Sequence, residues 1–174
     1  MQKGFTLIEL LIVILIVSMV YFLGFSGAEI HKSKPKSLNP MNLKERIVNS
    51  PEYEGQATLL CINKCSMCLI RSDIQAPYKE YSGTLALGDL KVYRLDADDI
   101  SEEIEYERYD DQKICLKMDF YRNGSATQLI VENDTGTYFL PSYLEETKQF
   151  DSPEDARDYW LKRSQLVSDQ GDFY

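Results

Sequence analysis

The chain has 174 residues, a formal net charge of −9, twelve tyrosines, seven phenylalanines, four cysteines and one histidine. That length makes one modest domain plus an N-terminal extension. The acidic balance argues against a nucleic-acid binder, which needs a basic face to displace counterions from phosphates, and against general adhesion to an anionic membrane surface.

From Phe5 to Phe25 the polar side chains are Thr6, Glu9, Ser18 and the Tyr21 hydroxyl. As a helix this stretch would run roughly 30 Å, enough to cross a hydrocarbon core. It is too long for a secretory signal peptide, and no clean small-x-small cleavage site ends it. A simple signal anchor would fit, but it leaves Glu9 unexplained, because an ionisable residue in a spanning segment is by default functional.

The run Lys3-Gly4-Phe5-Thr6-Leu7-Ile8-Glu9-Leu10 resembles the class III leader of type IV pilins and type II secretion pseudopilins. The resemblance implies cleavage between Gly4 and Phe5 by a prepilin peptidase and N-methylation of Phe5. It also implies assembly with other pilin or pseudopilin subunits through the apolar helix. Glu9 would then meet the new terminal ammonium of a neighbour in the filament core, each charge offsetting the other's desolvation. The head would lie in the periplasm or outside, anchored in the inner membrane. His31, Lys32, Lys34 and Lys36 after the span favour the opposite orientation by the positive-inside rule.

Pro35 is expected to break the first helix, which otherwise continues to about residue 33. Asn39 or Asn42 would cap a short second helix carrying Met41, Leu43, Ile47 and Val48. Two strands follow, about 57–62 and 67–72, joined by a polar turn at 63–66. Residues 83–96 read as one or two more strands. Residues 96–111 hold nine carboxylates and Arg108, and read as an edge strand or a loop. Ile114, Leu116, Met118 and Phe120 alternate toward one face. Asn123-Gly124 is a strong hairpin signal, with a return at 128–132. A second turn at 134–136 leads to a last strand, 138–140. Ser152 and Pro153 open a final helix, with Asp155 as an imperfect capping-box partner and Tyr159, Trp160 and Leu166 to dock it. The tail from residue 168 reads as loose.

The stretch Phe120–Leu140 is also similar to the sheet end of H-type minor pseudopilins, although the C-terminal helix departs from that pattern. The organisation read here is a leader at 1–4, a transmembrane and assembly helix at 5–34, and a linker with a short helix at 35–55. An antiparallel head at 56–150 and a C-terminal helix and tail at 151–174 complete it. The fold class is α+β, pilin-like.

A hairpin centred on residues 64–65 pairs positions summing to 129, so Cys61 faces Cys68 within disulfide range, and Cys65 is left for Cys115. The rival connectivity joins Cys65 to Cys68 and Cys61 to Cys115. The four cysteines would also suit a tetrahedral zinc site, and Cys65-Ser66-Met67-Cys68 a thiol redox site. Asp96, Asp98 and Asp99 carry oxygen ligands suited to calcium, although a solvated acidic face accounts for them. No phosphate loop is present, nor a nucleophile with a nearby base. The reading is a non-enzymatic prepilin-like subunit without cofactor, a minor pseudopilin or else a minor type IV pilus subunit. The reading from another class is a membrane-anchored metal or redox domain built on the cysteines.

Overall fold

The computed structural model describes residues 7–26, 37–143 and 145–169, with the side chains of 22–26 and 166–169 outside that description. The chain divides into two compact units, Met1–Pro35 and Lys36–Tyr174. The fold is α+β. In the first unit, helix α1 spans Leu7–Ser26. The helix end expected near residue 33 and its break at Pro35 lie outside the described residues.

In the second unit a 3-10 turn, Pro40–Asn42, runs into α2, Leu43–Val48. Asn39 is the cap. Its backbone is extended, its Oδ1 accepts the Asn42 amide at 3.0 Å, and Asn42 Oδ1 accepts the Asn39 amide at 2.9 Å. This reciprocal pair satisfies donors that a helix start leaves orphaned. Leu43 and Ile47, four apart and so on one face, are buried.

Among the described residues ten strands follow: β1 (Ala57–Ile62), β2 (Met67–Arg71), β3 (Lys79–Glu80), β4 (Lys91–Leu95), β5 (Ser101–Glu103), β6 (Arg108–Tyr109), β7 (Gln112–Phe120), β8 (Leu129–Asn133), β9 (Gly136–Leu140) and β10 (Lys148–Phe150). They make two five-stranded antiparallel sheets. The first has the order β3-β2-β1-β7-β6, the second β10-β9-β8-β4-β5. Each sheet ends at both margins in a strand of two or three residues.

The two sheets share one core. Leu59, Cys61, Leu116, Met118 and Phe120 of the first sheet meet Val92, Leu129, Val131, Tyr138 and Leu140 of the second, together with Leu38, Leu43 and Ile47. The intervening residues Ile130 and Phe139 point to the other face of the second sheet, as a period of two requires. There they pack with Ala156, Tyr159 and Trp160 of α3, Pro153–Asp169. The rings of Tyr159 and Trp160 each lie 5.5 Å from that of Phe139. Leu166, expected to help dock α3, has its side chain outside the described residues.

Three expectations are corrected. Asn123-Gly124 does make a tight turn, with the Gly124 amide donating to the Tyr121 carbonyl. However, β7 and β8 do not form a hairpin. Only Phe120 and Ala126 bridge, the Ala126 amide donates to the Ser142 carbonyl, and the chain passes to the other sheet. Second, β9 is not the last strand, because β10 pairs with it from Lys148 to Phe150. Third, Ile114 does not share a face with Leu116. Opposite β1, Cys61 pairs with Leu116 but Ile62 pairs with Ile114, so Cys115 is an extra, bulged residue and the alternation inverts across it.

Candidate functional site

Helix α1 is apolar all round. The successive residues Leu10, Leu11, Ile12 and Val13 cover most of the helix circumference, and they are 57, 57, 53 and 50 % exposed. A helix with no polar stripe needs an apolar environment on every side. Its one hydroxyl before Tyr21 is satisfied within the helix, since Ser18 Oγ donates to the Ile14 carbonyl at 2.8 Å. Glu9 stands in the first turn, where the unsatisfied amides of a helix start favour a negative charge by about 0.3–1 kcal/mol. Gly4 and Phe5 lie outside the described residues. Among the described residues no helix is long and apolar enough to cross a membrane; the side chains of α1 are described from Leu7 to Tyr21.

The cysteines converge at one end of the first sheet. Cys61 and Cys68 are direct partners across β1 and β2, with Cα atoms 4.0 Å apart, and are bonded. Cys65 is bonded to Cys115 with Cα atoms 5.7 Å apart. No free cysteine remains, so no thiolate set for zinc and no free dithiol is present. In the chain-entropy picture the Cys65–Cys115 loop, with a sequence separation of 50, contributes about 4 kcal/mol. The Cys61–Cys68 loop, with a separation of 7, contributes about 2.5 kcal/mol.

The backbone around Cys65 is unusual. Asn63, Lys64 and Cys65 all adopt left-handed conformations, with φ of 52, 54 and 58°. Such a conformation costs a residue with a Cβ roughly 1–2 kcal/mol, less for Asn. The turn is closed by the Ser66 amide and Oγ, which both donate to the Asn63 carbonyl at 3.1 and 2.7 Å. It is tied to β7 by the Asn63 amide donating to the Lys113 carbonyl. The bulge at Cys115 was missed in the sequence. Its signal is a cysteine set between Ile114 and Leu116, where pure alternation would put a solvent-facing residue.

The acidic stretch splits between β5, β6 and their flanking loops. Asp96 Oδ1 accepts the amides of Asp98 and Ile100 at 2.9 and 2.8 Å. Its carboxylate therefore organises its own turn, and Asp98 and Asp99 do not close around it. Among the described residues no three His, Cys, Asp or Glu side chains group as metal ligands. Arg94 pairs with Glu102 at 3.0 Å, and Arg157 of α3 donates to the Asp99 carbonyl at 2.7 Å. Burial pushes the phenol of Tyr106 up. Burial, then the hydrogen bond to Glu132 at 2.8 Å, pushes Tyr93 well above its ordinary range.

Residues 1–20 match the prokaryotic N-terminal methylation motif, the class III prepilin leader of pilins and pseudopilins. No curated protein and no solved structure matches the chain.

Proposed function

We propose that this chain is a prepilin-like structural subunit, a minor pseudopilin of a type II secretion system. A prepilin peptidase cuts between Gly4 and Phe5, Phe5 is N-methylated, and α1 inserts first in the inner membrane and then in the core of a pilus-like filament. The observation that carries this reading is the combination of the methylation motif over residues 1–20 with a helix that is apolar on all sides and carries Glu9 in its first turn. A helix of that kind is solvated by lipid or by copies of itself. The charge pair between Glu9 and the terminal ammonium of a neighbouring subunit would set register. A lone charge left in that core costs several kcal/mol.

The two disulfides suit a head that folds in an oxidising compartment. The head does scaffold work, and its acidic surface supplies electrostatic contacts to basic neighbours. The minor role rests on the helix break expected at Pro35 and on the acidic stretch 96–111, whose like charges disfavour many identical lateral contacts.

Mass spectrometry of the protein from its native host tests the reading. A mature chain beginning at N-methylated Phe5 is expected. A chain retaining residues 1–4 would overturn it. Deletion of the gene should impair protein export rather than pilus-dependent motility; the reverse result would favour a minor type IV pilus subunit.

A further inference from the structure

We propose that the Cys65–Cys115 disulfide is a redox latch on the tip of the β1–β2 hairpin: an external dithiol opens it at Cys115, the tip relaxes, and Cys61–Cys68 stays closed behind it. The proposal does not depend on the filament reading.

Access separates the two bonds. Cys61, Cys65 and Cys68 are 0, 3 and 1 % exposed, whereas Cys115 is only partly buried. Thiol–disulfide exchange requires a thiolate to reach a sulfur, and Cys115 offers the approach. Position separates them as well. Cys115 is the bulged residue outside the β1–β7 register, so freeing it disturbs no ladder pair. Cys61 and Cys68 sit inside a continuous ladder of five pairs from Thr58–Arg71 to Ile62–Met67.

The tip has a reason to move once released. Asn63, Lys64 and Cys65 are left-handed in succession, a conformation from which residues with a Cβ tend to return. Besides the disulfide, the turn is held by the two hydrogen bonds from Ser66 to the Asn63 carbonyl, with Cys65 packed in the core. The Lys64–Asp89 ion pair at 3.3 Å is exposed on both sides and so contributes little. The Asn63 amide bond to Lys113 is a single contact.

In the opening step a thiolate attacks Cys115 Sγ, the bond to Cys65 breaks, and Cys65 leaves as a thiolate that takes up a proton. The reagent's second thiol attacks the mixed disulfide and releases Cys115. The protein disulfide gains two electrons and two protons, and the dithiol becomes a disulfide. The cellular reagent is of the Cys-x-x-Cys oxidoreductase class.

Dithiothreitol titration of the full chain in detergent tests this, with free thiols trapped by N-ethylmaleimide and located by peptide mass spectrometry. Labelling of Cys65 and Cys115 is expected at concentrations that leave Cys61 and Cys68 unlabelled, with faster hydrogen exchange at the Asn63 amide. Labelling of Cys61 and Cys68 first, or of all four together, would overturn the latch. Lys64→Gly relieves part of the left-handed cost and should shift the Cys65–Cys115 equilibrium about fivefold toward the disulfide. An unshifted equilibrium would overturn the relaxing tip.

Discussion

Ser152 and Asp155 exchange hydrogen bonds at the start of α3: the Asp155 amide donates to Ser152 Oγ at 3.1 Å, and that hydroxyl donates to Asp155 Oδ2 at 2.7 Å. With Pro153 as the first helical residue, which has no N–H to satisfy, the pair settles two of the four amide positions that a helix start leaves open. Ser152→Ala should therefore lower stability by about 1 kcal/mol, read as a lower urea midpoint at unchanged slope. Ser152→Asp should recover most of it. An unchanged midpoint for the alanine variant would show that packing alone sets where α3 begins.

Packing on the second sheet makes a larger claim. Phe139 is 2 % exposed and touches both rings of α3. Phe139→Ala should cost about 3–5 kcal/mol and raise hydrogen exchange along α3 more than along β1. If exchange rises equally everywhere, α3 is not a separately docked element.

Glu9 is tested through assembly. On the proposed filament reading, breaking the buried charge pair costs about 3–5 kcal/mol, so Glu9→Leu should cut incorporation into sheared filaments at least a hundredfold. Cleavage after Gly4 should continue. Glu9→Gln, which keeps shape but not charge, should assemble poorly as well. Normal incorporation of the glutamine variant would remove the charge pair from the assembly scheme.

Alkaline pH should unfold the head early. Tyr78, Tyr93 and Tyr106 all have phenols raised by burial above the ordinary value of 10.0. A raised folded value means that the unfolded chain loses its protons first, so stability is intact below pH 10 and falls as pH rises beyond it. Lys44 acts in the opposite sense. Burial lowers its ammonium from 10.5, so the unfolded chain holds more protons there and stability rises with pH up to that value. Lys44 is partly buried, as the three tyrosines are, and three phenols acting against one ammonium leave a net decline. Urea midpoints at pH 9 and pH 11 should show a decline, reduced in Tyr106→Phe. A flat profile would contradict the burial of these phenols.

Where interactions are local, the sequence was a good guide. The sum rule that sets Cys61 opposite Cys68 rests on a four-residue turn, and the caps at Asn39 and Ser152 rest on side chains three residues from their partners. The partition into two sheets was not legible. A turn at Asn123-Gly124 specifies a reversal but not whether the reversed strand stays with its partner. That is decided by distant groups such as the Ser142 carbonyl, which takes the Ala126 amide. The strand β10 was hidden because it is three residues long and carries Lys148 and Gln149 on its exposed positions. Ile114 was misplaced because a bulge inverts an alternation that otherwise reads cleanly from Leu116 to Phe120.

The brevity of β3, β5, β6 and β10 matters wherever many heads crowd together. A strand of two or three residues presents too few open amides and carbonyls to template another chain. Two such heads meeting edge to edge would therefore find little open main chain on which to zip together.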